Sequence, residues 1–437
     1  MPAILFIAAL LLLVLGAPIV TSLGLSSLIF VVSTGGNPTQ IVQTMFSSVD
    51  NAALLAVPFF VLAGDLMNRG GIAKRIVRLA SLAVGNIHGG VGIVAIIACM
   101  FFAAISGSGI ATAAAIGGVM LVGLLRAGYS RGFAGAIIAS ASPIGIIIPP
   151  SIAFIIYAVL SKVSVADMYK VGIPAGIIVG IALMLPTFLI ARKRGYKAIA
   201  ADIASGVKKL ADVPEDKDQG PAKKGIWAVI DSLWALGTPI IIVGGVFAGI
   251  FTPTESAVVA VVYSILIGIY VYKEMKWKDL PSIFYSSAIS TAAIMIIMAA
   301  AGSFARVMVY EKIPQTLLNA ALAISDNPIV IMLIINVVVL IAGMFMESGA
   351  IQYILVPIAL PLALALGIDP VHFGIVLVIN LAIGMMTPPF GITLFTSART
   401  LGTSIQDISK EVLPFLLAMI AALFLITYVP GIVMWIV

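Results

Sequence analysis

Gly145-Ile-Ile-Ile-Pro-Pro150 and Gly384-Met-Met-Thr-Pro-Pro389 lie 239 positions apart in a chain of 437 residues. Each Pro-Pro pair removes two backbone donors and clashes with the preceding turn, so a helix entering it must break. The flanking sequence keeps the same spacing. Ser106-Gly-Ser-Gly109 answers Met346-Glu-Ser-Gly349, Gly128 answers Gly367 and Gly135 answers Gly374; Asp167, Lys170 and Pro174 answer Asp407, Lys410 and Pro414, at an offset of 239 or 240 throughout. One glycine match means little, but a run of matches at one spacing marks an internal duplication.

The setting of these motifs is apolar. Hydrophobic residues make up 62% of the chain and charged residues 10%, against about 45–50% and about 25% in soluble domains. That excludes a soluble globular domain, a disordered chain and a disulfide scaffold. Continuous rather than alternating apolar runs exclude a transmembrane β-barrel. The reading is an all-α polytopic membrane protein, with room for roughly ten to fourteen segments at about 20 residues each. The lone Cys99 lies in an apolar run and reads as a small buried side chain. No cation precedes Arg69, so the apolar stretch at 3–15 lacks the basic flank of a cleaved signal and is expected to stay as a helix.

Residues 192–225 carry nine Lys/Arg and five Asp/Glu. This aqueous linker (192–226) divides the chain into a first repeat, 1–191, and a second, 227–437. Helices are expected near 3–15, 18–33, 52–68 and 172–191, with a basic amphipathic stretch at 69–88, a hairpin over 91–125 and a broken span at 145–151. The second half repeats this with helices near 227–250, 254–272, 282–305 and 412–435, a polar stretch at 310–328, a hairpin over 329–366 and a break at 384–391. About five spans plus one re-entrant hairpin per half is an odd number of crossings, so the second half is inverted. With the linker cytoplasmic, inner segments hold 20 of the 24 Lys/Arg. The +6 net charge therefore reads as positive-inside bias rather than nucleic-acid binding, and both termini fall outside.

Two serines and two glycines at 106–109 favour an unwound hairpin tip, tolerated at membrane depth only where protein or a cavity surrounds it. Such a tip exposes carbonyls and hydroxyls suited to a hard cation; close helix packing by small residues is the alternative. Broken helices at matching points of two inverted halves point to a transporter's binding site, where a simple proline kink is the bland reading. Thr252-Pro-Thr-Glu255 reads as a capping box, Asn327-Pro328 and Asp369-Pro370 as helix starts, and Asp65 as reaching the interface. Glu347, beside the second tip, has either a site role or a capping role. His88 and His372 are too far apart for a shared metal site or triad. No H-E-x-x-H, G-x-S-x-G or P-loop is present, so the chain is no enzyme by sequence and carries no ATPase of its own.

Pro58-Phe-Phe-Val-Leu-Ala-Gly64, Ser106-Gly-Ser-Gly109, Thr252-Pro-Thr-Glu-Ser256, Met346-Glu-Ser348, Gly367-Ile-Asp-Pro-Val-His-Phe-Gly374 and the stretch from Gly384 to Gly391 resemble the large membrane subunit of tripartite ATP-independent periplasmic (TRAP) transporters. The likeness runs through almost the whole chain. It implies an elevator-type, sodium-coupled importer of organic acids such as sialic acid or C4-dicarboxylates, in a bacterial inner membrane. It also implies a small four-helix membrane subunit on a separate chain, a periplasmic substrate-binding protein, and no cofactor beyond sodium ions. On the family pattern one sodium would bind Ser106, Ser108 and the carbonyls of Gly145 and Ile148, and another Met346, Ser348, Gly384 and Thr387. Thr387 matches Ile148, so the first site departs from the second by lacking a hydroxyl. Substrate would lie near Thr112, Ser142, Ser151, Gln352, Asn380 and Thr393. A stand-alone sodium–carboxylate symporter, and a channel or membrane scaffold without coupled transport, are the competing readings.

Overall fold

Helix dominates because each apolar run satisfies its own backbone. The computed structural model describes residues 3–83, 87–196, 226–325 and 327–437; most of the expected linker, 197–225, lies outside them. The first half builds α1 (Ala3–Val14), α2 (Ile19–Ser33), α3 (Thr39–Val49), α4 (Ala56–Arg69) and α5 (Ile72–Ala83). A hairpin follows, α6 (Gly90–Ser106) and α7 (Gly109–Arg126). Then comes a broken span, α8 (Arg131–Ala141) and α9 (Ile152–Ser161), and last α10 (Val165–Arg194).

The second half begins with α11 (Ile226–Pro239), which runs into a π-helical turn at Ile240–Gly244. It continues through α12 (Pro253–Leu266), α13 (Leu280–Tyr310) and α14 (Ile313–Ile324). The second hairpin is α15 (Pro328–Phe345) and α16 (Ser348–Ala365); the second broken span is α17 (Pro370–Met386) and α18 (Ile392–Leu401). α19 (Ile405–Tyr428) and a short α20 (Gly431–Met434) complete it.

The duplication extends to individual caps. Ser164 accepts the Asp167 N–H at the start of α10, and Ser404 accepts the Asp407 N–H at the start of α19. Each acid then pairs with a lysine one turn on, Lys170 at 2.9 Å and Lys410 at 3.4 Å. The Thr252–Glu255 capping box forms, and Asn327 and Asp369 cap the helices that Pro328 and Pro370 begin. Cys99 is fully buried.

Three expectations shift. The span expected at 52–68 is preceded by a helix, α3, whose Gln40, Gln43 and Thr44 hid it from an apolar count; α3 and α4 together correspond to the unbroken α13. The stretch at 310–328 contains α14, which bears no charged residue. Asp65 does not simply reach the interface: half-buried, it accepts the Ser287 hydroxyl at 2.5 Å and fastens α4 to α13.

Eight helices among the described residues are long and apolar enough to cross a membrane; α2, α6 and α17 are apolar but shorter. The shorter ones belong mainly to hairpins and broken spans, which need not cross alone. Helices α1 to α4 pack with α12 and α13, while α6 to α10 pack with α15 to α19. In the second group α9 lies on α16 and α18 on α7; likewise α10 lies on α17 and α19 on α8. Each half thus lends its half-helix to the other's hairpin. This exchange is what inverted-topology repeats related by a pseudo-two-fold axis produce.

Candidate functional site

At the first break, α8 tightens into a 3₁₀ turn over Ser142–Ile146. Pro149 and Pro150 carry no N–H, so the carbonyls four residues back, Gly145 and Ile146, lose their helical donors. Ser151 takes over one of them: its hydroxyl donates to the Ile146 carbonyl at 2.6 Å while its oxygen caps α9 through the Phe154 N–H. The second break repeats the solution. Pro388 and Pro389 take the helical donors from the carbonyls of Gly384 and Met385; the Thr387 N–H turns to the Gly384 oxygen at 3.1 Å, and the Thr393 hydroxyl lies 2.8 Å from the Met385 oxygen. It also lies 3.0 Å from the Ala139 oxygen, which Ser142 approaches at 3.5 Å. Ser151 and Thr393 therefore serve the broken backbone, and Thr393 joins the two breaks.

The first tip packs onto the first break. Gly107 adopts φ +60° in the left-handed region, and a Cβ there would stand 2.7 Å from the Pro150 carbonyl oxygen. Only glycine suits that turn without strain. A Cβ on Gly145 would lie 2.7 Å from the Ser108 carbonyl oxygen and 2.9 Å from Thr112 Oγ1, so oxygens of the tip pack directly against Gly145. Ser106 Oγ is 3.0 Å from Thr112 Oγ1, and Thr112 donates to the Ser108 carbonyl at 2.8 Å. Ile148 is buried, its N–H donating to Ile144. The structure brings Ser106, Ser108, Thr112 and Gly145 together.

The second tip closes differently. Glu347 occupies the position of Gly107 and caps α16, accepting the N–H groups of Gly349 at 2.8 Å and Ala350 at 3.4 Å. The Ser348 hydroxyl donates to the same carboxylate at 2.9 Å. Capping is the role the geometry gives Glu347. Across from it Gly384 meets α15 so closely that a Cβ would lie 2.5 Å from the Gly343 carbonyl carbon. Thr387 donates its hydroxyl to Ile383 at 2.7 Å, leaving oxygen lone pairs for a further partner. Met346 is half-buried beside them.

Each tip also reaches the other half. A Cβ on Gly109 would lie 3.0 Å from Met385 Cε, and one on Gly349 would lie 3.1 Å from Ile156 Cδ1. Two tips and two breaks thus converge, lined by carbonyls and hydroxyls. Among the described residues no group of three or more His, Cys, Asp or Glu could hold a metal ion. Neutral oxygens of this kind fit sodium better than a transition metal.

The six expected substrate residues separate. Ser142, Ser151 and Thr393 sit at the breaks and Thr112 at the first tip. Gln352, one turn into α16, is fully buried, and neither amide atom has a hydrogen-bond partner. Asn380 lies in a different network, donating to the Asn336 carbonyl at 2.7 Å and side chain at 3.0 Å, and Asn336 donates to Thr427. That network binds α17 to α15 and α19, while the Asn380 Oδ1 itself has no hydrogen-bond partner. The sequence reading missed Asn336, Phe345 and Phe390. An aromatic residue placed next to a tip and next to a break was the available signal for the last two.

The fold and its paired tips define a polytopic helical membrane transporter. The chain from residue 6 to 432 matches the family described as the tripartite ATP-independent periplasmic transporter, DctM component, and it belongs to that family. It is 37% identical to the C4-dicarboxylate TRAP transporter large permease protein DctM of Pseudomonas aeruginosa, over 94% of this chain and 92% of that protein. It is 35% identical to the sialic acid large permease SiaM of Vibrio cholerae, over 95% and 93%. Identity to the isethionate permease DctMQ of Oleidesulfovibrio alaskensis is 40% over 97% of this chain, which spans 64% of that protein. Among solved structures, the YdaH transporter of Alcanivorax borkumensis has the same fold, with a TM-score of 0.62 at 16% identity over 90% of this chain and 88% of that one.

Proposed function

We propose that this chain is the large subunit of a sodium-coupled importer of a small organic acid, working by an elevator movement in a bacterial inner membrane. The observation that carries the reading is the pairing of each hairpin tip with its broken helix. Both pairs offer carbonyls and hydroxyls; only the second has a titratable neighbour, Glu347, which holds the Ser348 hydroxyl, and its counterpart Gly107 cannot titrate, so proton coupling would lack a ligand in the first site. Ser106, Ser108 and the Gly145 and Ile148 carbonyls would hold one sodium ion; Met346, Ser348, Gly384 and Thr387 would hold the other. Unpartnered and fully buried, Gln352 is the side chain best suited to meet substrate, with Thr112 and Ser142 of the first tip and break as further contributors. The relatives named for C4-dicarboxylate, sialic acid and isethionate support an anionic organic substrate. The two halves, 1–191 and 227–437, would move their α6–α10 and α15–α19 portions as one body against α1–α4 and α11–α13. A small membrane subunit and a periplasmic binding protein would complete the machine.

Uptake into proteoliposomes tests this. With the small subunit and loaded binding protein, accumulation should need an inward sodium gradient and rise with sodium concentration at a slope above one. Equal uptake from a pH gradient in sodium-free buffer would overturn the coupling. Robust uptake of free acid by this chain alone would favour the stand-alone symporter.

A further inference from the structure

The two tips are related by the repeat but closed by different means. The first break is enclosed: Ser140 to Ala158 are all buried, Pro149 and Pro150 included, and at the tip Ser106 is 2% exposed and Ser108 half-buried. Its Gly107 turn abuts the Pro150 carbonyl. At the second tip Phe345 is 60% exposed and Phe390 53% exposed, with Pro389 also open. Met346 and Glu347 are extended (φ −130° and −68°), and the Glu347 cap turns the tip's polar groups back on its own helix. What spans the gap is a ring pair: Phe345 ends the first arm of the hairpin, Phe390 follows the break, and their centroids are 5.2 Å apart at 37°. The first-half counterparts of Phe345 and Phe390 are Ile105 and Ser151, both fully buried and neither aromatic.

We propose that the second tip is the moving gate and that Phe345 and Phe390 are the positioning residues that latch it. The ring pair holds tip against break, over Met346, Ser348, Gly384 and Thr387, while the Gly343–Gly384 backbone contact below serves as the pivot. An aromatic pair suits a latch because it attracts without demanding one geometry, and it separates without leaving a buried polar group unsatisfied. The tip can therefore open and reclose at small cost. The inference rests on the tip-and-break reading of the second site.

Thiol labelling separates the possibilities. In a Cys99→Ser background, Met346→Cys reports on the second tip and its counterpart Ser106→Cys on the first. With purified protein in sodium-free buffer, Phe390→Ala or Phe345→Ala should speed maleimide modification at Met346→Cys. The expected factor is about three- to ten-fold, the population shift that losing an aromatic pair gives. Phe390→Tyr, which keeps the ring, should restore the slow rate, and Ser106→Cys should stay unreactive throughout. Both phenylalanines lie at the surface, so their removal leaves the core packing in place. An unchanged rate at Met346→Cys overturns the latch, as does an equal rise at Ser106→Cys, which would mean general loosening. Adding sodium should slow labelling at Met346→Cys. If Phe390→Ala acts as stated and sodium has no effect, the latch stands and the cation assignment falls.

Discussion

Thr387 and Ile148 occupy equivalent positions beside the two breaks, and only one of them carries an oxygen on its side chain. The Thr387 hydroxyl hydrogen is committed to the Ile383 carbonyl, which leaves its oxygen lone pairs to accept a further partner such as a cation. On the proposed sodium assignment, replacing it with alanine removes one ligand of several from the second site. Loss of about 1.4 kcal/mol of binding is a ten-fold change, and Thr387→Ala should raise the sodium concentration for half-maximal uptake by about that factor. Ile148→Ala removes apolar volume next to Gly176 and should lower thermal stability, but its sodium dependence should hardly move. Sodium titration of uptake in the two variants checks this, and equal shifts would mean that Thr387 is no ligand. Ser151 and Thr393 belong to the same scale. Their type and place near a break suggested substrate contact, yet their hydroxyls lie against carbonyls that the prolines set free. Sequence alone could not choose between the two uses, because a broken helix and a binding site ask for the same side chain.

Among the elements, boundaries were legible wherever a local rule decides them. Ser-Gly-Ser-Gly ended α6 and began α7, and Pro388-Pro389 ended α17 because no helix can donate through them; α8 ended earlier than its Pro-Pro pair, at Ala141, passing into the 3₁₀ turn at Ser142–Ile146. Helix α3 escaped notice because its polar face, which reads as loop, is exposed, and only packing on α13 reveals why it folds. Nor could the sequence foretell which long-range partners the charges of α5 would find. Arg75 stacks 3.6 Å from the Tyr272 ring centroid, reaches Glu274 at 2.6 Å and approaches Asp231 at 3.3 Å, tying α5 to α11 and to the loop after α12. Burial raises the Tyr272 phenol above its ordinary pKa, so it stays protonated and donates to the Asp231 carbonyl. The equivalent helix α14 has no charge at all. With the guanidinium and Asp231 mostly shielded, removing Arg75 should cost about 2 kcal/mol, between the values for exposed and fully buried pairs. Arg75→Met should lower the unfolding midpoint of the detergent-solubilised protein. Arg75→Lys should recover little of the loss, because an ammonium cannot both stack and reach two carboxylates. An unchanged midpoint in Arg75→Met would show that the cluster contributes nothing.

At the scale of the whole molecule, inversion makes a demand that neither tip nor break makes alone: equivalent ends of the two halves must lie on opposite faces of the membrane. Helices α10 and α19 are the clearest pair, both started by a serine cap and an acid–lysine turn at the same offset. α10 has 30 residues, or about 45 Å at 1.5 Å per residue, enough to cross a bilayer. Its far end carries Arg192, Lys193 and Arg194, and the positive-inside rule puts that end in the cytoplasm. The start of α10 then lies outside and the start of α19 inside, beside Arg399 and Lys410. Three exposed positions report on this: Lys162 before α10, Lys193 at its end, and Gln406 in the first turn of α19. In a Cys99→Ser background, an impermeant maleimide added to intact cells should label Lys162→Cys. Lys193→Cys and Gln406→Cys should react only after the membrane is opened. Labelling of Lys162→Cys and Gln406→Cys from the same face would mean that the halves run parallel. The two tips would then enter from one side, and two cation sites related by inversion could not form.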